Sequence, residues 1–125
     1  MILDTNALSA LADGKIAASE KFDPATRSAI PVIVLGEYLF GIAQSRRKRE
    51  YEIWLEQFIS VHRILPIDEV TAWRYADLRR ELKQAGSLIP SNDTWIAALS
   101  RQYALPILSR DRHFDRVKGL RRVDW

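Results

Sequence analysis

Hydrophobic positions in this chain fall into short continuous apolar runs separated by longer stretches with helical spacing. Met1-Ile2-Leu3 runs straight into Asp4-Thr5-Asn6, after which Leu8, Leu11 and Ala12 recur at helical spacing until Asp13-Gly14 stops the pattern. Asp23-Pro24 marks a turn or a new helix start. Ile30-Pro31-Val32-Ile33-Val34-Leu35 is a β-branched run with the length and continuity of a buried parallel strand, followed by Gly36-Glu37 and a short apolar helix from Tyr38 to Ala43. The basic run Arg46 to Arg49 opens the next helix, where Tyr51, Trp54, Leu55, Phe58 and Ile59 form one apolar face.

The second half repeats this alternation. Ile64-Leu65-Pro66-Ile67 reads as a strand, placed at a sheet edge by its proline. Asp68 caps a helix that carries Tyr75, Leu78 and Leu82 on one face and ends at Gly86. Ser91-Asn92 offers an N-cap for a helix from Asp93 to about Tyr103, and Leu105 to Leu108 is a further short strand ending in Ser109-Arg110-Asp111. A helical piece from Phe114 to Val117 and a strand near Arg122-Val123 follow. Strands alternating with helices predict an α/β fold, a three-layer α/β/α sandwich around a mostly parallel sheet, formed as one domain over residues 1–125.

Composition narrows the function without naming it. At 47% hydrophobic and 28% charged, the chain is expected to be globular rather than disordered. No apolar run approaches the ~20 residues of a membrane helix, and no signal segment precedes Asp4, so a cytoplasmic protein with no membrane partner is expected. The absence of cysteine excludes disulfides, thiolate zinc sites and cysteine nucleophiles. A net charge of +3 is compatible with a polyanionic partner but does not require one.

The placement of acids says more. Ligands of open parallel sheets gather at the carboxyl ends of the strands. On this reading Asp4 follows the first strand, Glu37 the second and Asp111 the fourth, while Asp93 sits in the first turn of the helix leading into the fourth. Each acid alone is ordinary: Asp4 as a cap, Glu37 and Asp93 as helix-dipole partners, Asp111 as a turn residue. Together they converge on one sheet edge, where carboxylates repel and raise one another's pKa unless a cation intervenes. Mg²⁺ or Mn²⁺, which prefer oxygen ligands, suits such a set and suits phosphodiester hydrolysis by an activated water.

These segments resemble those of PIN-domain ribonucleases, and most closely VapC-type toxins of bacterial and archaeal toxin–antitoxin pairs. The resemblance is carried by Leu3-Asp4-Thr5-Asn6, by Val34 to Ile42 around Glu37, by Asp93 to Ala98 and by Leu108 to Phe114, four motifs in order across essentially the whole chain. It implies a metal-dependent endoribonuclease with Asp4, Glu37, Asp93 and Asp111 as the acidic quartet and Mg²⁺ (or Mn²⁺) as cofactor. It implies Asp4 and Asp93 as the main metal ligands, with Glu37 and Asp111 completing the site and orienting water. Thr5, Asn6 and Ser109 would support the carboxylates or touch phosphate, and Arg110, Arg112 and His113 lie where they can bind it. Asp115 stands close by as a second candidate for the fourth acid. The resemblance further implies an RNA substrate, a cognate VapB-type antitoxin docking near the helical hairpin, and a homodimer.

Rival readings fare worse. No GxxxxGK[ST] segment supports a P-loop, and no lysine in residues 105–112 supports a phosphoacceptor receiver domain. The alternative that stays open is a non-catalytic PIN domain acting as an RNA- or protein-binding regulatory module. His62 and His113 show no ligand spacing, and His62 is read as structural. Neither the RNA cleaved nor the number of metal ions follows from these residues.

Overall fold

The computed structural model describes residues 1–23, 25 and 28–125, so the turn read at Asp23-Pro24 lies, at Pro24, outside the described residues. Parallel strands need crossover connections, which helices fill here. The order is β1 (Ile2–Leu3), α1 (Thr5–Ala12), α2 (Ile16–Lys21), β2 (Ala29–Pro31), α3 (Val32–Ala43), α4 (Lys48–Val61) and β3 (Arg63–Leu65). It continues through α5 (Glu69–Gln84), α6 (Ser91–Tyr103), β4 (Ile107–Leu108), a short 3-10 helix (Arg112–Arg116) and β5 (Arg122–Val123). The strands form one sheet in the order β3-β2-β1-β4-β5, with every pairing parallel. This is the expected α/β/α fold, with the proline-flanked β3 at an edge as read.

Burial explains why such short strands hold. Ile2, Leu3, Ile30, Leu65, Ile107 and Leu108 are fully buried, as is Phe114. The sheet is therefore sealed on both faces, and its strands read as continuous apolar runs. Helices α1, α3 and α4 pack on one another, and α5 packs against α6. Among the described residues, no helix is long and apolar enough to cross a membrane.

Three local expectations are corrected. The strand expected over Ile30–Leu35 ends at Pro31, and Val32-Ile33-Val34-Leu35 is the first turn of α3. Tertiary packing overrides β-propensity here: Val34, Tyr38 and Ile42, spaced four apart, are the buried stripe of one continuous helix. Glu37 therefore lies in the second turn of α3, rather than directly after a strand. Secondly, α6 is capped at Pro90, whose carbonyl accepts from the Thr94 amide and hydroxyl, each at 3.0 Å. Ser91 and Asn92 are helical, which frees their side chains for other contacts. Thirdly, the terminal helical piece is the 3-10 turn Arg112–Arg116, capped by Asp111.

Other expectations hold. Asp68 caps α5 in a capping box with Thr71. The basic run at the start of α4 is offset within its own helix, with Arg47 on Glu50 at 2.8 Å and Lys48 and Arg49 on Glu52 at 3.6 and 3.7 Å. His62 is buried beside Phe22 and Phe58, and its Nδ1 accepts from the Ser28 amide at 3.2 Å.

Candidate metal centre

The centre of the sheet determines where the acids meet. β1 lies between β2 and β4, so the chain leaves it at the point where strand order reverses, the crevice in which such sheets bind ligands. Asp4 occupies that exit. It is the N-cap of α1, accepting from the Thr5 amide at 2.8 Å, and it also accepts from Asn6 Nδ2 at 2.8 Å and Ser109 Oγ at 2.6 Å. Capping and clustering are thus one arrangement. The Asp4 carboxyl is only 5% exposed, and its pKa is raised. Burial is the main cause; the Ser109 and Thr5 bonds oppose it, and the charges of Asp111 and Glu37 reinforce it.

Ser109 ties the two central strand ends together. It is fully buried, donates to Asp4, and accepts from Asn6 Nδ2 at 3.1 Å and from the Asp111 amide at 2.9 Å. Asn6 in turn accepts the Arg110 amide at 3.1 Å. Asp4, Thr5, Asn6 and Ser109 are thereby locked before any ligand arrives, as preorganised donors and acceptors should be.

The other acids arrive by different routes. Asp93, in the first turn of α6, has its pKa pushed up to about 6. Burial causes most of this; the His113 bond opposes it, and Asp111 and Asp4 add repulsion. A helix N-terminus favours an anion, so the surroundings here outweigh the dipole. His113 Nδ1 lies 3.0 Å from Asp93 Oδ2 and 3.0 Å from Asp111 Oδ1. Ionised carboxylates only accept, so the ring bridges the pair through Nδ1–H. Asp93, Asp111 and His113 offer ligand atoms within 4.8 Å of one another, close enough for one cation.

Glu37 comes from α3. Its Oε2 accepts from the Thr5 hydroxyl and its Oε1 from Asn92 Nδ2 at 2.5 Å. The earlier start of α3 does not remove it from the site, because α3 springs from the same edge at which β2 ends. Asp115 stands elsewhere: it grips Arg122 at 2.8 and 3.2 Å, and that guanidinium holds its carboxyl below the ordinary range. The acid brought to the others is Asp111. Arg110 points its guanidinium at the Trp125 ring, 5.0 Å from the centroid, while Arg112 is exposed.

Two contributors escaped the sequence reading. Asn92 reads in the sequence as a cap, although Pro90 does that work and leaves the amide to hold Glu37. His113, whose sequence position suggests a phosphate contact, instead joins two acids. Its adjacency to Asp111 was the available signal; the contact to Asp93 depends on the turn geometry.

The donor set fits a hard divalent cation. Asp4 feels the charges of Asp111 and Glu37, Asp93 feels those of Asp111 and Asp4, and both have raised pKa values. Among the described residues, the group close enough for one cation is Asp93, Asp111 and His113, which does not include Asp4 or Glu37, and carboxylate oxygen dominates the ligands on offer.

Comparison with known proteins agrees with this architecture. The family model described as PIN domain matches residues 1–120. Ribonuclease VapC5 of Mycobacterium tuberculosis is 30% identical over 125 residues, spanning 98% of this chain and 91% of that protein. Ribonuclease VapC2 of Rickettsia felis is 31% identical over 98 residues, spanning 78% and 73%. The crystal structure of VapBC2 from Rickettsia felis, bound to a DNA fragment from its promoter, superposes with a TM-score of 0.88 at 25% identity, covering 99% of this chain and 97% of the matched one.

Proposed function

The chain belongs to the PIN-domain family and, within it, to the VapC ribonucleases, and from that premise we propose that it is a metal-dependent endoribonuclease and the toxin of a toxin–antitoxin pair. The observation that carries the chemistry is the convergence of Asp4, Glu37, Asp93 and Asp111 on one sheet edge, with two of them electrostatically disfavoured as anions. Mg²⁺ or Mn²⁺ is the cofactor we assign, held by Asp4 and Asp93 and completed by Asp111 and Glu37. Bound there, the cation supplies charge neutralisation at the scissile phosphate and activation of water.

The chain's own residues supply position. Ser109 and Asn6 fix the Asp4 carboxylate, so that little reorganisation is left for the reaction. Glu37, held from both sides by Thr5 and Asn92, is placed to orient water and accept its proton. His113 is placed to hold or pass a proton between Asp93 and Asp111. We assign Thr5 and the exposed Arg110, whose backbone amide bonds Asn6, to contacts with phosphate oxygens of an RNA strand.

We further assign a VapB-type antitoxin as partner. Supporting this, a groove between α3 and α4 is lined by Leu35, Leu39, Leu55 and Ile59 together with Glu52 and Glu56, and Phe40 of α3 is 73% exposed. A homodimer and a cytoplasmic location complete the proposal. The test is cleavage of purified cellular RNA with Mn²⁺ against the same reaction in chelator, together with growth on induced expression. Metal-dependent cleavage and growth arrest relieved by the antitoxin are expected; intact RNA under all metal conditions would leave the non-catalytic module as the better reading.

A smaller effect isolates the support around Asp4. Ser109→Ala removes the hydroxyl bond that lowers the Asp4 pKa. We expect the Mn²⁺ concentration for half-maximal binding, read by calorimetry, to rise roughly 10–100-fold. An unchanged half-point would reduce Ser109 to a purely structural link.

A further inference from the structure

Beside the acid cluster lies a pocket of about 290 Å³ that the proposed chemistry does not use. Its lining includes Thr5 and Glu37, which it shares with the cluster, and then Ser9, Asp13, Tyr38 and Tyr51. Its size is just under the ~300 Å³ lower end of small-molecule pockets, so it suits one ring system rather than a whole nucleotide.

The chemistry of the walls is specific. Tyr51 donates its hydroxyl to Asp13 Oδ1 at 2.6 Å, which fixes the carboxylate although Asp13 itself is exposed. Tyr38 is only 3% exposed, and its hydroxyl has no hydrogen-bond partner among the described residues. A buried polar atom left this way is costly unless something supplies a bond. Burial, followed by the neighbouring Tyr51 and Asp13, pushes the Tyr38 phenol up to about 12, so it stays a neutral donor. Among the described residues, no lysine or arginine lines the pocket. A phosphate is therefore disfavoured within it, whereas a group rich in N–H donors is favoured. Arg47, paired with Glu50, stands just outside with its guanidinium carbon 5.1 Å from the Tyr51 ring centroid.

We propose that this pocket is the base-recognition subsite of the enzyme, receiving the nucleobase next to the scissile phosphate and selecting guanine through Asp13. Guanine presents its N1–H and amino donors side by side, matching one carboxylate with two bonds. Uracil offers one N–H flanked by carbonyls, which meet the carboxylate unfavourably. Tyr51 holds Asp13 in place and gives the base an aromatic wall, the usual way in which unstacked RNA bases are received. The inference rests on the nuclease reading above, because only that reading puts an RNA strand across Thr5 and Glu37.

The test is the base distribution around the cut in a fully randomised RNA digested with Mn²⁺ and sequenced. Guanine should exceed uracil at one flanking position by at least about tenfold, the scale of a good two-bond contact between a side chain and a base. Asp13→Asn should collapse that ratio to within about twofold, and Tyr51→Phe should give an intermediate value, since the ratio within one digest is independent of total activity. Cleavage without such a preference, or a preference unmoved in Asp13→Asn, would overturn the subsite and leave the nuclease reading standing. If the protein cuts nothing, the nuclease reading fails, and fluorescence anisotropy with the trinucleotides AGA and AUA decides the pocket alone. Equal affinities would overturn it; a guanine preference lost in Asp13→Asn would sustain it as a binding subsite. Weaker antitoxin binding by Asp13→Asn with the base ratio unmoved would assign the pocket to the protein partner and likewise overturn the proposal.

Discussion

Asp93→Asn should lower RNA cleavage by roughly 10²–10³-fold or more, because it removes a charged ligand whose only net benefit comes when positive charge arrives. Asp93 lies among Asp4, Asp111 and buried walls, and its pKa of about 6 shows that the surroundings resist its charge. A residue kept at a cost to the free protein is accounted for by what it binds. Asparagine has nearly the same shape, and its carbonyl oxygen still accepts from His113 Nδ1–H, so the first turn of α6 keeps its geometry. The melting temperature at pH 7.5 without metal should therefore be unchanged or higher in the variant. Asp4→Asn would be a poorer probe. Asp4 accepts from Thr5, Asn6 and Ser109, and an amide NH₂ placed against those donors loses a bond and destabilises the α1 cap. The measurement is kcat/KM with Mn²⁺ beside calorimetric unfolding of the same preparation. Cleavage by Asp93→Asn within about threefold of the parent would sink the assignment of Asp93 as a metal ligand.

Why some of this was legible in the sequence and some was not has physical causes. Runs such as Ile2-Leu3 and Ile107-Leu108 are buried on both faces, so burial itself prints them as continuous apolar strands. Alternation with helical spacing then determines the parallel order, and parallel order sends every strand exit to one edge. Asp4 and Asp111 were therefore placed by topology alone. Val32 to Leu35 misled because β-branched residues state a preference of the local backbone, whereas the packing of Val34, Tyr38 and Ile42 is a preference of the whole core. Glu37 extends from the second turn of a helix, not from a strand exit. Side-chain networks were the least legible. Asn92 on Glu37 and His113 between Asp93 and Asp111 depend on rotamers and on where Pro90 starts a helix. Asp111 is preferred to Asp115 because it follows the strand, and the pairing of Asp115 with Arg122 is consistent with that preference.

Without divalent cation, the protein should grow more stable as pH falls from about 7 toward 5, and saturating Mn²⁺ should remove or reverse that slope. Asp93 titrates at about 6 in the folded chain against an ordinary value of 3.8, and Asp4 is raised as well. Between those values the folded state binds protons that the unfolded chain does not, so stability falls as pH rises through this window. Above about pH 7 both states have released the Asp93 proton and its contribution becomes flat. Asp68, Glu81, Asp115 and Asp124 have lowered values, and what they contribute is lost only at lower pH, as each is protonated in the folded state. The window near pH 5–7 therefore belongs mainly to the acid cluster, while the N-terminal amine, whose pKa burial lowers from 8.0, adds stability as pH rises toward 8. With the Asp93 side chain 15% exposed, its share is about 1–2 kcal/mol once solvent screening is allowed for. Cation and proton compete for the same carboxylates. Mn²⁺ at a hundred times its Kd should stabilise the folded state by about 2.7 kcal/mol at pH 7.5, and by progressively less as acid displaces it. Denaturant unfolding from pH 5 to 8, with Mn²⁺ and with chelator, measures both slopes. Converging curves at low pH that separate at high pH are the expected result. Superimposed curves would mean that the cluster takes no cation, and the same acids would then favour a binding module over a nuclease.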